Sequence, residues 1–382
     1  VSAMAGAGLG SAICKVPPVM MCNPAEPDTN TDINLDFNPN KGDGLRLVIG
    51  SPDAPGNFGF LRTGEDGGAK EVAKTVGYDV PPNGCISTNG VETEPGNMIS
   101  VPAAFNTRFD ISENGEMTCP EDGVCSASRN SRKDLVRPIS SGACTLHSSG
   151  WHEASVPYRA RNISPLSSTN PMIPEDTSTP EIEKKDYPDA MGYPRDYCHA
   201  LSVDGSCSPN VLQGNGDWDI DAYFWVNYEM TQSEWMAAVT DEDGVRLANT
   251  TADIPNVSRY DVYKWEMANA ETRVDVDRSV PTSDVSIARP VCRGSGIEPD
   301  EDTPDRRRIA VAVVNCKAQK LKGHKENVQV RKWLDVFLVE PAVARPNRTR
   351  NGDIYVEVIS MTTSGGDETA QVIRRDVPYL IR

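Results

Sequence analysis

Ten cysteines constrain this chain more than any other feature, because they form an even set and several lie close together in loops rich in Gly, Pro and Asp. Such loops are poor places to bury reduced thiols, so the pattern favours disulfide bonds and an extracytoplasmic location, either periplasmic or at the cell surface. Proximity in sequence predicts three local disulfides, which are Cys14–Cys22, Cys119–Cys125 and Cys198–Cys207. Elimination leaves two long-range pairs, Cys292–Cys316 and Cys85–Cys144. Five such bonds could stabilise a chain with little core for its length.

The composition agrees with a loop-rich fold. A chain of 382 residues can form one large domain or two smaller ones and bury a sizeable core. However, only 38% of the residues are hydrophobic, and there are 30 Gly and 29 Pro. Glycine and proline mark turns, so we expect short helices and strands inside a loop-rich shell.

The charge and the N-terminus exclude some classes of protein. A formal charge of -17 argues against a nucleic-acid partner, because a polyanion binds basic surfaces. The sequence begins "VSAMAGAGLGSAIC", which lacks an initiator Met, a basic n-region and an apolar run of about 18 residues. We therefore expect neither a complete signal peptide nor a membrane helix here, and we interpret the chain as a processed or truncated product.

Hydrophobic periodicity predicts an α+β fold in which a C-terminal, mainly antiparallel sheet packs against a few helices. Helices are expected at residues 1–14, 69–76, 100–109, 217–230 and 258–270. Strands are expected at residues 45–50, 307–316, 328–342 and 353–361. The continuously apolar run "RRIAVAVVNC" predicts a central strand, and Asp217 and Ser258 are expected to be helix N-caps.

The chain divides into three parts on this interpretation. Residues 1–116 would be a disulfide-knotted N-terminal part, in which Pro17 and Pro18 end the first helix. Residues 117–196 are rich in Pro, Ser, Thr and Asp and predict a loop-rich insertion. Residues 197–382 would add the helix pair and the sheet to the same domain as the N-terminal part. The run "EPDEDTPDRRR" (298–308) predicts a solvated loop that leads to a strand edge.

Signatures of catalysis are missing, so we predict that the chain is not an enzyme. It contains no Gly-x-Ser-x-Gly elbow, no phosphate-binding loop that ends in Gly-Lys-Ser/Thr, no His-Glu-x-x-His and no dinucleotide-binding glycine pattern. Its four histidines are His147, His152, His199 and His324.

Two groups of residues are candidate metal ligands. In "GNGDWDID" the oxygen-bearing residues Asn215, Asp217, Asp219 and Asp221 alternate, as they do in calcium-binding loops, although no bidentate Glu follows at the EF-hand spacing. The alternative is a glycine turn followed by a helix whose first-turn carboxylates complement the helix dipole. Cys144, His147 and His152 could bind zinc, unless Cys144 is oxidised. No cofactor other than this possible calcium is expected.

Taken together, several collinear stretches resemble the TadG-like proteins of proteobacterial Tad/Flp pilus-assembly systems. The resemblance is carried by "AICKVPPVMMCNP" (12–24), "LRLVIG" with "PGNFGFL" (45–61), "PPNGC" (81–85), "EPGN" with "NTRFD" (94–110), "YPRDYC" (193–198), "GNGDWDIDAYF" (214–224), "SRYDVYKWE" (258–266), "RRRIAVAVVNC" (306–316), "VFLVEPA" (336–342) and "VPYLIR" (377–382).

The resemblance implies an N-terminal helix that anchors the protein in the inner membrane, a domain outside the cytoplasm, and other pilus-assembly or surface proteins as partners. This sequence departs from the family pattern because it lacks the anchor and has a long 117–196 region. It also lacks the Asp-x-Ser-x-Ser motif of relatives with a von Willebrand A-type metal site, so metal-dependent adhesion is not implied.

The leading hypothesis is therefore a non-enzymatic component of a Tad/Flp-type pilus-assembly system, which acts at the envelope or cell surface as a structural or interaction domain. The alternative is a self-assembling, filament-forming or adhesive extracellular protein, with calcium as a possible stabiliser. A homo-oligomer is compatible with either hypothesis.

Overall fold

A large mixed β-sheet organises the protein, and its strands come from both ends of the chain. The computed structural model describes the whole chain except residues 1–5, 11, 15–16, 49–53, 55–57, 64–66, 83–84, 89, 95–97, 99, 114–117, 141, 156, 159–187, 200–206, 209, 281, 301–302, 346–348, 364–376 and 382. The strands are β1 (Gly6–Gly10), β2 (Ala12–Cys14), β3 (Pro18–Cys22), β4 (Gly44–Leu47), β5 (Phe58–Leu61), β6 (Cys85–Ser87), β7 (Val91–Glu94), β8 (Leu135–Pro138), β9 (His152–Glu153), β10 (Arg278–Ser279), β11 (Asp284–Ser286), β12 (Arg308–Val314), β13 (Lys325–Val328), β14 (Lys332–Leu338), β15 (Ile354–Thr363) and β16 (Val377–Ile381).

The large sheet has eight strands in the order β13-β7-β5-β3-β12-β14-β15-β4. Strands β3 and β12 run parallel, and the other neighbours in this sheet are antiparallel. Smaller sheets are formed by β10-β11-β8-β9, by β1 with β16, and by β2 with β6. The N-terminal strand β3 thus lies in the middle of the sheet beside β12.

The helices are short. They are α1 (Ala69–Gly77), α2 (Pro102–Asn106), α3 (Ile220–Tyr228), α4 (Gln232–Ala238), α5 (Arg259–Ala268) and α6 (Ala270–Arg273), with 3-10 turns at Thr107–Phe109, Tyr197–His199 and Thr251–Asn256. Ser258 caps α5 by accepting a hydrogen bond from the Asp261 amide. None of these helices has both the length and the apolar character needed to cross a bilayer.

Successive side chains of each strand point to opposite faces of the large sheet, so the two faces pack against different groups of residues. On one face, Val311 of β12, Leu334 of β14 and Val356 of β15 pack with Val76 of α1 and Phe105 of α2. On the other face, alternate residues of the same strands join two further clusters. Phe337 and Tyr355 join an aromatic cluster with α3, α4 and α5, and Ala312 and Trp333 join a cluster that includes Cys22 and Cys316. Helices therefore cover both faces.

The predicted α+β fold with disulfides is confirmed, and residues 308–314 form the central strand expected there. The predicted N-terminal helix is wrong, because residues 6–10 and 12–14 are strands that pair with β16 and β6. Gly6, Gly8 and Gly10 disfavour a helix, since glycine is poor in helix interiors. The division into parts at residues 116 and 196 stays a prediction.

The disulfides differ from the predicted set in their long-range members. Cys119–Cys125 and Cys198–Cys207 are confirmed. Cys22 bonds to Cys316 and Cys144 bonds to Cys292, so the predicted pairs Cys14–Cys22, Cys292–Cys316 and Cys85–Cys144 are wrong. The parallel pairing of β3 and β12 explains the first change, since it places Cys22 opposite Val314, two residues before Cys316. Cys14 and Cys85 face each other in the β2–β6 register, but their side chains lie outside the described part of the structure.

Candidate functional site

Three stretches that the sequence analysis singled out meet at one buried ion-pair cluster. We define the Arg259 hub as Asp196 from "YPRDYC", Arg259 from "SRYDVYKWE" and Glu357 of β15. The Arg259 guanidinium contacts Asp196 Oδ1 at 2.5 Å and Glu357 Oε2 at 2.8 Å, and all three side chains are fully buried. One guanidinium thus joins the helix α5, the sheet and the loop that precedes the Tyr197–His199 turn.

Backbone amides complete the hydrogen bonding of both carboxylates. Asp196 Oδ2 accepts hydrogen bonds from the amides of Gly44 at 3.0 Å and Gly216 at 2.8 Å. Glu357 accepts hydrogen bonds from the amides of Arg259 and Tyr260, which open α5. A carboxylate at a helix N-terminus is stabilised by the free amides and the helix dipole.

Glycines in "GNGDWDID" allow this loop to approach Asp196. A Cβ atom at Gly214 would collide with Asp196 Oδ2, and Gly216 has a φ of +78°, which favours glycine. The two glycines of the motif therefore have a packing role beside the hub.

The electrostatics of the hub follow from its burial. Burial alone would lower the pKa of Arg259, but Asp196 and Glu357 reverse the effect and raise it. Burial raises the pKa of Glu357, and Arg259 offsets only part of that rise. Each charge therefore depends on its partner, because an unpaired buried charge is costly.

A neutral histidine extends the hub toward the Cys198–Cys207 disulfide. Burial lowers the pKa of His199 to about 4, so the ring is uncharged at neutral pH. Its Nε2 lies 2.8 Å from the Val211 carbonyl, which can only accept, so Nε2 carries the proton. Nδ1 lies 2.7 Å from the Tyr355 hydroxyl and accepts from it. Both ring nitrogens of the neutral His199 therefore have hydrogen-bond partners, which allows the ring to be buried without a charge.

A second buried carboxylate, Glu266 of α5, is surrounded by hydroxyl groups. We define the Glu266 hub as Glu266 with Tyr193, Tyr223, Tyr228 and Asn130. Tyr193 donates to Oε2 at 2.5 Å and Tyr223 donates to Oε1 at 2.5 Å, while Tyr228 also donates to Oε1. Asn130 donates to Oε2 at 2.5 Å. These bonds tie Asn130 and Tyr193, which both belong to the predicted insertion at residues 117–196, to the helix α5.

The Glu266 hub predicts a loss of stability in alkali. Burial, together with the charge of Glu266, raises the pKa of Tyr193 and Tyr223 well above its ordinary value, so the folded state keeps these protons. The unfolded chain releases them above about pH 10. Stability from these groups is therefore present below about pH 10 and lost as the pH rises further.

Parallel pH titrations of tyrosinate absorbance and near-UV circular dichroism check this prediction. We expect the buried tyrosines to ionise only as tertiary structure is lost. Reversible ionisation of every tyrosine near pH 10, with the tertiary signal intact, would contradict it.

The arginines of "EPDEDTPDRRR" are not on a solvated loop, so that prediction is wrong for them. Arg306, Arg307 and Arg308 are buried. Arg306 donates to the carbonyls of Gly77 and Tyr78 at the end of α1, Arg307 donates to the Leu338 carbonyl, and Arg308 pairs with Asp335 of β14. Free helix-terminal carbonyls attract cations, which gives Arg306 its partners.

The four candidate calcium ligands lie in different environments. Asn215 and Asp217 are exposed, and Asn215 accepts a hydrogen bond from the Asp217 amide. Asp219, rather than Asp217, is the N-cap of α3, and Asp221 accepts hydrogen bonds from the side chains of α4 residues Gln232 and Trp235. Among the described residues, these three aspartates do not form a group with ligand atoms within 4.8 Å of one another. Calcium binding stays a prediction.

The candidate zinc ligands are divided in a similar way. Cys144 is bonded to Cys292 and is not available as a thiolate. His147 lies near Ser149 in its own loop, whereas His152 Nδ1 lies 2.9 Å from the Gly150 carbonyl and its Nε2 lies 3.4 Å from Asp284. The structure therefore does not bring these three residues together as ligands.

Both hubs were missed by sequence reasoning, although a signal was present. Charged residues in "YPRDYC" and "SRYDVYKWE" lie among aromatic residues, and this pattern is compatible with charges buried in pairs. The partner Glu357 carries no such signal, since it sits in an alternating strand where a polar residue is expected to face water.

Comparison with known proteins adds no relative, because no protein-family model, curated protein or solved structure matches the chain. The fold and the site define a disulfide-stabilised α+β protein with one buried ion-pair hub at Arg259 and a buried glutamate, Glu266, that is held by hydrogen bonds. The four disulfides in the described part of the chain indicate folding in an oxidising environment.

Proposed function

We propose that this chain is a TadG-like component of a Tad/Flp-type pilus-assembly system and acts outside the cytoplasm as a non-enzymatic structural or interaction domain. One observation carries the proposal: the stretches that resemble TadG-like proteins contact one another. "AICKVPPVMMCNP" provides β3, "RRRIAVAVVNC" provides β12, and the two strands pair and share the Cys22–Cys316 bond. Two of the stretches that resemble TadG-like proteins thus form neighbouring strands in the middle of the large sheet and are joined by a disulfide.

The use of charge supports a structural role. Asp196, Arg259, Glu266 and Glu357 are fully or almost fully buried, and each is bound by other residues of the chain. Buried carboxylates that are held by several donors join distant parts of the chain, which suits the positioning of loops.

The location belongs to the same proposal. Disulfides persist in the periplasm and outside the cell, whereas the cytoplasm keeps thiols reduced. We therefore place the domain in the periplasm or at the cell surface, where its partners would be other pilus-assembly or surface proteins.

Deletion of the gene in the producing bacterium tests the proposal. We expect genes for a pilin, a prepilin peptidase and a secretion ATPase nearby, and we expect electron microscopy to show loss of surface pili while pilin is still made. Wild-type protein should restore the pili. Normal pili in the deletion strain, or absence of these genes, would contradict the proposed function.

The alternative, a self-assembling surface protein, is favoured by one feature. Strands β1 and β16 pair with each other near the two ends of the described chain and with no other described strand. Such a pair could form between two copies instead of within one. Filaments or rings of purified protein in electron micrographs would support this alternative, and a dispersed monomer at high concentration would reject it.

A further inference from the structure

We propose that Glu92, His324 and Glu326 form a surface site for a first-row transition-metal dication, with zinc as the best-matched ion. The proposal is independent of the pilus function. The three residues lie where the edge strand β13 pairs with β7. One nitrogen of His324 and one oxygen from each glutamate lie within 4.8 Å of one another.

The strand geometry explains why these side chains converge. His324 and Glu326 are two residues apart, so they project from the same face of an extended chain. The register of β13 on β7 shifts between Lys325 and Val328, and Asn327 has a φ of +57°. Two residues of β13 therefore oppose Glu92, which is the arrangement of a β-bulge, and bulges redirect side chains at sheet edges.

The contacts of His324 support a ligand role. Its Nε2 already meets Glu92 Oε1, and about a third of each side chain is exposed, so the pair can open to admit an ion. Zinc bonds to imidazole nitrogen and carboxylate oxygen are about 2.0–2.2 Å, which places ligand atoms roughly 3–3.5 Å apart around one ion. Water would complete a tetrahedral set at this exposed position.

Local charge also favours a cation. Glu92 and Glu326 are opposed across the two strands, and like charges in that arrangement repel. Glu94 lies on β7, as Glu92 does. The Arg62 guanidinium contacts both carboxylates, with nitrogen–oxygen distances of 3.0 Å to Glu92 and 3.8 Å to Glu94. Three carboxylates and one guanidinium give a formal charge of -3 + 1 = -2. A dication would neutralise this charge, and the imidazole favours zinc over calcium, which prefers oxygen ligands only.

Titration of zinc alone into the purified, disulfide-bonded protein tests the site. We expect one equivalent to bind, and we expect His324→Ala or Glu326→Gln to weaken binding about tenfold or more. His147→Ala is the matched control, because His147 is an exposed histidine in a different loop. Its binding should equal that of the wild type.

Arg62→Gln gives a second, opposite test. Because Arg62 competes for Glu92, its removal should strengthen zinc binding. Circular dichroism of each variant controls for folding. The site is rejected if the wild type binds no zinc at millimolar concentration, if His324→Ala binds as tightly as His147→Ala, or if Arg62→Gln weakens binding.

Discussion

Replacement of Arg259 by methionine should lower the free energy of unfolding by about 3–5 kcal/mol, because it leaves two buried carboxylates without their counter-charge. Asp196 and Glu357 have no exposed surface and meet Arg259 at 2.5 and 2.8 Å. Since native proteins are stable by only about 5–15 kcal/mol, this change would remove a large part of the free energy of unfolding. Chemical denaturation with the disulfides intact measures it.

Two further variants make this test specific to the hub. Arg289→Met removes an ion pair with Asp277 in which both side chains are about one-third exposed, and exposed pairs contribute about 0–1 kcal/mol. Glu357→Gln combined with Arg259→Met should cost less than the sum of the two single changes, since the double variant buries one fewer unpaired charge. A loss below about 1 kcal/mol for Arg259→Met would contradict the role assigned to the hub.

Loss of the Cys22–Cys316 disulfide should also lower the free energy of unfolding by several kcal/mol. This bond joins residues that are 294 positions apart, whereas Cys119–Cys125 spans 6. On the chain-entropy relation, the long ring stabilises the folded state by roughly 6 kcal/mol and the short one by roughly 2 kcal/mol. The Cys144–Cys292 bond lies within the long ring and shortens it by about half, which reduces the stabilisation by only about 0.6 kcal/mol.

The paired variants C22A/C316A and C119A/C125A provide the comparison by chemical denaturation. Alanine is the right replacement, because Cys22 and Cys316 are fully buried in an apolar cluster where serine would leave a hydroxyl without a partner. We expect the first variant to be the less stable one by about 3 kcal/mol. Equal losses would show that the long bond does not hold β3 against β12.

Local patterns predicted the strands and helices of this protein better than its long-range connections. Residues 309–314 are a continuous apolar run, and such a run is typical of a strand covered on both faces. The strand β3 was missed, because Pro17 and Pro18 beside two cysteines indicate a local ring rather than a strand. Which strand accepts β3 depends on the packing of the whole sheet, so the sequence near Cys22 could not predict Cys316 as its partner.

Buried charges were the other feature that the sequence did not reveal. Arg306 follows an acidic run, and such a run is normally solvated, yet its guanidinium binds the end of α1. Partners of this kind are backbone carbonyls, and carbonyls have no sequence signature. The two glutamates of the hubs, Glu266 and Glu357, lie 91 positions apart in the sequence. Only the folded chain shows that each has enough donors to be buried.

The most direct test of this account is non-reducing peptide mapping of the protein isolated from the bacterium that produces it, with thiols blocked during lysis. An exported, disulfide-stabilised domain should yield linked peptides for Cys22–Cys316, Cys144–Cys292, Cys119–Cys125 and Cys198–Cys207. Blocked, unlinked thiols at these eight cysteines would show that the chain resides in a reducing compartment and would contradict the account.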